Sequence, residues 1–154
     1  MIDYEAELAA AYGSVVSAQE VEEASGGQHL DDIVRLVFRL DTTEKSISSL
    51  GVLVPNLKEL TLDHSRIASI RDLGVDMRNL RAISLNDCAI QELDGIGALM
   101  NLEMLSLRSN SISDVSPIAM HDHLEVILVC ALLYLPVKIH ACVLDIGPPR
   151  EPNI

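Results

Sequence analysis

LKELTLDHSRIASIRDL at residues 57–73, LRAISLNDCAIQELDGI at 80–96 and LEMLSLRSNSISDVSPI at 102–118 are three copies of one pattern. Each opens leucine-x-x-apolar-x-leucine and meets an isoleucine five residues later, and the copies start 23 and 22 residues apart. The apolar positions are Leu57, Leu60, Leu62, Ile67, Ile70 and Leu73, then Leu80, Ile83, Leu85, Ile90, Leu93 and Ile96. The third copy fills them with Leu102, Leu105, Leu107, Ile112, Val115 and Ile118. One such unit cannot bury its own apolar side, so stacked neighbours must share one core. The ninth position holds Ser65, Cys88 and Asn110. Its task is to bond turn backbone, and serine is the weakest of the three because it lacks the amide fork.

This period belongs to leucine-rich repeats. It predicts an α/β chain: a solenoid with a short, curved parallel sheet and a convex side of 3-10 turns and short helices. An acidic N-terminal helical segment is expected ahead of it. The chain divides into an acidic segment over 1–29, helical or disordered, a repeat domain over 30–128 and an atypical apolar tail over 129–154. Within the repeat domain a capping repeat spans 33–56, where Ile33, Leu36 and Phe38 match Leu57, Leu60 and Leu62 and Asp41 takes the turn position. Regular repeats follow over 57–79, 80–101 and 102–123. A fourth begins at Leu124, Ile127 and Val129 and then breaks, with Leu132 in its ninth position.

Residues between the leucines must point away from the core, because successive strand side chains face opposite ways. Three ladders result. Arg35, Glu59, Ala82, Met104 and Val126 form the first, and Val37, Thr61, Ser84, Ser106 and Leu128 the second. The third holds Arg39, Asp63, Asn86, Arg108 and Cys130. The candidate protein-binding face is Arg35, Arg39, Glu59, Thr61, Asp63, Ser84, Asn86, Met104, Ser106 and Arg108. Arg39, Asp63 and Arg108 are its expected charged anchors, with Arg108 foremost because arginine is enriched at interface hot spots.

Composition narrows the function classes. One domain is expected for 154 residues. The hydrophobic share is 49% and the aromatic share 3%, with Phe38 the one phenylalanine and no tryptophan, which suits a leucine-packed solenoid better than a pocketed enzyme. The net charge of -12 repels phosphate backbones and anionic membranes and favours basic protein partners. Residues 1–32 hold eight acids and no lysine or arginine. A helix is expected within 1–24, with Leu8, Ala11, Val15 and Val16 on one side, ended by Gly26 and Gly27. Three cysteines without metal spacing point to a reducing, cytoplasmic setting, and the first residues form no secretory signal. The run from Leu128 to Leu135 is interrupted by Pro136, Lys138, His140 and Asp145. It falls short of the about 20 apolar residues of a membrane span. This tail is expected to leave apolar groups exposed and the last strand prone to self-association.

No catalytic, cofactor or metal site is expected. Gly26-Gly27 is not followed by a phosphate-loop lysine, and no serine sits in a nucleophile elbow. His121, Asp122 and His123 fall in the turn before the fourth strand, short of a full ligand set. Asp63 and His64 read as an exposed surface pair at the end of the first regular strand.

The isoleucine-x-x-apolar turns resemble the SDS22-like class of repeats. The connecting residues, which the core does not dictate, go further. Asp41-Thr42, Val54-Pro55-Asn56-Leu57, Arg71-Asp72-Leu73-Gly74 and Leu93-Asp94-Gly95-Ile96 are similar to the leucine-rich repeat-containing protein 56 family, over roughly residues 30–127. That resemblance implies a non-enzymatic protein of the cytoplasm and motile cilium or flagellum. Its partners would be dynein-arm or intraflagellar-transport components. Members continue with further repeats, so this chain looks like a C-terminally truncated or alternative form. An SDS22-like regulatory subunit of a serine/threonine phosphatase, by analogy of repeat class, and a truncated form without function are the alternatives.

Overall fold

The computed structural model describes residues 14–128 and 143–144. In chain order these form β1 (Ser14–Val15), α1 (Ala18–Ala24), β2 (Arg35–Val37), β3 (Lys45–Ser46) and α2 (Leu50–Leu53). Then come β4 (Glu59–Thr61), β5 (Ala82–Ser84), β6 (Met104–Ser106), β7 (Val126–Leu128) and β8 (Val143–Leu144). Short 3-10 turns at Leu30–Asp32, Ile70–Leu73, Ile96–Ala98 and Ser116–Met120 lie between strands.

A six-stranded parallel sheet in the order β2-β4-β5-β6-β7-β8 carries the fold. Its register aligns Arg35, Glu59, Ala82, Met104 and Val126, then Leu36, Leu60, Ile83, Leu105 and Ile127, then Val37, Thr61, Ser84, Ser106 and Leu128. The first and third of these rows are ladders read from the repeat spacing. The middle row is the inward one, and every residue in it is buried. Every apolar position of the three regular repeats is buried as well. Burying a leucine or isoleucine side chain contributes about 1.5–3 kcal/mol, so a one-residue slip, which turns that row outward, is strongly disfavoured.

The strands are three residues long because each repeat must turn at both ends. At the far end the chain enters left-handed backbone at the eighth repeat position, with φ of 61° at His64, 54° at Asp87 and 58° at Ser109. The ninth side chain then holds the turn. Asn110 makes the fullest set: its Oδ1 accepts from the Cys88 and Ile90 amides at 3.0 and 3.1 Å. Its Nδ2 donates to the Leu85, Leu107 and Arg108 carbonyls. Cys88 donates its thiol to the Leu62 carbonyl at 3.0 Å. Ser65 accepts from the Leu40 amide at 3.1 Å. The expected ranking of the three side chains is met in their bonding.

A second asparagine column precedes each regular repeat. Asn56, Asn79 and Asn101 donate to the Asp31, Pro55 and Arg78 carbonyls at 2.9, 2.8 and 2.7 Å. On the convex side Ser69 and Asp72 form a reciprocal capping box on the Ile70–Leu73 turn. Gly74 closes that turn at φ 80°, and a Cβ there would lie 2.6 Å from the Ser48 carbonyl oxygen. The position therefore requires glycine.

The N-terminal segment differs from the expected long helix. Among the described residues the helix is confined to Ala18–Ala24, because Ser17 and Glu20 cap it in a box. Gly27 and Gly26 end it by donating to the Glu22 and Glu23 carbonyls, a Schellman closure. Val15 and Val16, expected on the helix, precede it instead: β1 pairs in parallel with β3. Val16 and Val21 are buried in the common core. Glu20 bonds Lys45, and that bond first, then the Ser17 amide, holds its carboxyl below the usual range. Leu8, Ala11 and the sequence-based expectations for 129–142 and 145–154 lie outside the described residues. β8 pairs in parallel with β7, Val143 opposite Val126. No helix among the described residues is long and apolar enough to cross a membrane.

The turn bonding predicts a graded response. Asn110→Ala strips partners from several buried backbone groups, each costing about 1–3 kcal/mol. It should lower unfolding free energy by about 3 kcal/mol, whereas Ser65→Ala should cost about 1 kcal/mol, both read from urea midpoints.

Candidate functional site: the strand face

The outward row Arg35 to Val126 opens on an ion pair. Arg35 donates to Glu59 through Nε at 2.5 Å and Nη2 at 3.1 Å. This hydrogen bond is what chiefly lowers the Glu59 carboxyl and raises the Arg35 guanidinium from their ordinary values. Both side chains are exposed enough for solvent to screen the pair. Further along, Met104 is 44% exposed, so the row changes from charged to apolar across the sheet.

The next rows carry a continuous hydrogen-bond network. Asp63 Oδ1 accepts from the Ser84 hydroxyl at 2.6 Å and the Asn86 amide at 2.9 Å, and Oδ2 accepts from Asn86 Nδ2 at 3.2 Å. Asn86 Nδ2 also donates to Ser84 Oγ at 2.9 Å. Asn86 Oδ1 in turn accepts from the Ser106 hydroxyl at 2.7 Å and the Arg108 amide at 2.8 Å. Side chains from the end of β4 through the start of the turn after β6 are thereby tied together. Asn86 uses all of its donors and acceptors here.

The candidate residues therefore separate into two groups. Asp63, Ser84, Asn86, Ser106 and the Arg108 backbone are joined, and they hold strand to strand. Arg35 and Glu59 form their own pair. Arg39 and Met104 stand apart and exposed, and Thr61 is half-buried between the rows. Asp63 was expected beside His64 as an exposed pair. It is half-buried and faces β5, because the left-handed backbone at His64 turns that ring away to Asp87, with Nδ1 2.8 Å from Oδ2. His121 bonds the Ile96 carbonyl at 2.9 Å. Among the described residues no group of three or more His, Cys, Asp and Glu could hold a metal ion.

Against this geometry the comparisons with known proteins take their place. A model described as Leucine Rich repeats (2 copies) matches residues 78–120. Leucine-rich repeat-containing protein 56 of Homo sapiens is 41% identical over 100 residues, 62% of this chain and 18% of that protein. Its Rattus norvegicus counterpart is 35% identical over 125 residues, 75% of this chain and 23% of that protein. The chain is related to the leucine-rich repeat-containing protein 56 family. The homolog from Trypanosoma brucei brucei is 30% identical over 108 residues, 69% of this chain and 14% of that protein. The chain thus spans less than a quarter of the length of these relatives. Among solved structures, an internalin from Listeria monocytogenes aligns with a TM-score of 0.47 and 17% identity, covering 73% of this chain and 43% of the internalin. The matched family model is one of repeat units, which serve as interaction scaffolds, and not of a catalytic domain.

Two features of the face were not read from sequence. The polar network was missed because ladder position says which way a side chain points and not whether its bonds are already used. A cleft of about 560 Å³ on the loops beyond the strand ends was also missed. Thr43, Arg66, Ser69, Arg71, Gln91 and Asp94 are among its lining residues, and Arg71 meets Asp94 at 2.5 Å. Its charges come from separate loops, each unremarkable in the sequence.

Beneath the face Cys88 is fully buried. Burial is the main cause that pushes its thiol up to about 11, with Asp63 and Asp87 adding to it against the opposing backbone amides of Ser65 and His64. The thiolate is the reactive form. A maleimide at neutral pH should therefore label Cys88 at least about 100-fold more slowly in the folded chain than in urea, followed by peptide mass mapping. The sign for stability follows. Below the ordinary value of 9.0 the thiol is neutral in both states, and as pH rises toward about 11 only the unfolded chain releases the proton. Stability falls across that window.

The two groups of face residues should respond differently to truncation. Asp63→Ala leaves the Ser84 hydroxyl and Asn86 amide without their acceptor and should cost about 1–3 kcal/mol. Arg39→Ala should stay within about 0.5 kcal/mol of wild type. Chemical unfolding of both variants checks this.

Proposed function

We propose that this chain is a non-enzymatic protein-interaction adaptor that holds its partner on the strand face. Its place is the assembly or intraflagellar transport of outer dynein arms, between the cytoplasm and the motile cilium. The observation that carries the reading is the conjunction of a solvent-facing parallel strand face with similarity to the leucine-rich repeat-containing protein 56 family across the same residues. The ciliary assignment comes with that family resemblance, and the use of the strand face comes from geometry.

The mechanism is docking. A prebuilt sheet face needs no folding on contact, so little ordering entropy opposes binding. The polar network fixes the spacing of the strands. Arg39 and Met104, exposed and outside the network, are then the residues most available to a partner. The acidic N-terminal segment draws basic surfaces toward the face at long range.

Affinity capture from ciliated-cell extract tests this reading. The wild-type chain should recover dynein-arm or intraflagellar-transport subunits by quantitative mass spectrometry. Arg39→Glu combined with Met104→Glu should reduce that recovery at least about 10-fold, as expected for truncating interface anchors, with an unchanged circular dichroism spectrum. Undiminished recovery by the folded variant sinks the strand-face mechanism. Recovery of a phosphatase catalytic subunit in place of ciliary proteins sinks the ciliary assignment.

A further inference from the structure

Where each strand begins, one residue precedes the Arg35–Val126 row, and these residues form a rim: Val34, Lys58, Arg81, Glu103 and Glu125. Their backbones are locked across the sheet, since the Lys58 amide donates to the Val34 carbonyl, Arg81 to Lys58, Glu103 to Arg81 and Glu125 to Glu103. The side chains run apolar, basic, basic, acidic, acidic. The central two cancel, because Arg81 and Glu103 form an ion pair. Lys58 and Glu125 are exposed, and neither makes an ion pair with another described residue. The rim is left with a positive charge at β4 and a negative one at β7.

We infer that the strand face takes an amphipathic helix of a partner protein, laid across the strands, with an acidic residue over Lys58 and a basic residue over Glu125. This rests on the strand-face reading above and adds the shape and charge order of what is bound. Three observations carry it. The strands are three residues long, which gives a trough about 10 Å wide, the diameter of a helix with its side chains. The face interior has its backbone groups paired within the sheet, so it offers no edge for strand addition. The charges are complementary to a dipolar segment and to neither a uniformly acidic nor a uniformly basic one.

The spacing is specific enough to test. Lys58 on β4 and Glu125 on β7 are three strand intervals apart, about 14 Å. Three helical turns, positions i and i+11, span about 16 Å and return to nearly the same side. Met104, two intervals from β4, falls beneath position i+7 at about 10 Å. The bound helix should present acid at i, a large apolar residue at i+7 and base at i+11.

Three synthetic helix-forming peptides serve as probes for the full chain, read by fluorescence anisotropy at low salt. All carry leucine at i+7. The ends at i and i+11 are Glu and Lys in one, Glu at both in the second and Lys at both in the third. The Glu–Lys peptide should bind about 3- to 5-fold tighter than either companion, the scale of an exposed charge pair. In Lys58→Glu the Lys–Lys peptide should become the tightest, and in Glu125→Lys the Glu–Glu peptide should. Both positions are exposed, so neither variant threatens the fold. Failure of all three peptides to bind overturns the inference, as does an order that neither variant changes. Either result alongside intact capture of ciliary proteins would leave the adaptor reading standing and remove only the dipolar helix.

Discussion

Shared burial is the constraint on which everything else in this chain depends. The row Leu36, Leu60, Ile83, Leu105 and Ile127 has no inside until two neighbours stack. The offset between strands falls from 24 residues to 23 and then 22 along the sheet, yet the row stays aligned. The loops absorb the difference on the convex side, where α2 (Leu50–Leu53) gives way to 3-10 turns. A tighter turn spends fewer residues on the same advance along the stack. The core therefore dictates the register, and the register alone decides which side chains reach the opposite face.

Keeping strands three residues long requires that each be stopped, and the stop carries strain. His64, Asp87 and Ser109 sit in left-handed backbone without being glycine, which costs on the order of 1–2 kcal/mol each. The ninth-position side chain offsets that by bonding turn amides and carbonyls that would otherwise be buried unpaired. Its bonding strengthens along the chain from Ser65 through Cys88 to Asn110. The N-terminal end compensates by other means: Val16 and Val21 bury themselves against the first repeats, and Glu20 bonds Lys45. The end with the weakest turn is the one with an added cover.

Much of this was legible because periodicity is a global signal. Three copies at one spacing fixed strand positions, inward rows and outward rows to the residue, and the structure reproduces the ladders from Arg35 to Val126 and from Val37 to Leu128. What stayed hidden were local choices among alternatives of similar energy. Ser17-x-x-Glu20 is a capping-box signature, but acids and alanines on both sides mimic a longer helix, so Val15 and Val16 were read into it. The asparagines at 56, 79 and 101 recur with the repeat but are polar, and a search keyed on leucine passes over them. Asp63 illustrates the limit for the site itself. A carboxylate on an outward position reads as an anchor until the partners at Ser84 and Asn86 are seen to claim it.

The size of the face bears on how this protein can work. Five strands, β2 to β7, each about 10 Å long and set about 4.8 Å apart, give a footprint near 240 Å². Corrugation by side chains enlarges it, but a standard stable interface buries about 800 Å² on each partner. Its centre is a hydrogen-bonded network with few free donors, and desolvating it gains little. Affinity must come from the exposed groups around that centre, and rim charges act more on encounter rate and orientation than on residence time. A face of this kind binds reversibly on its own and tightly only when a second contact raises its effective concentration. That suits an adaptor engaged in transport, whose grip has to be released, better than a permanent structural joint. The relatives, several times longer than the stretch they share with this chain, have the length to supply such a second contact.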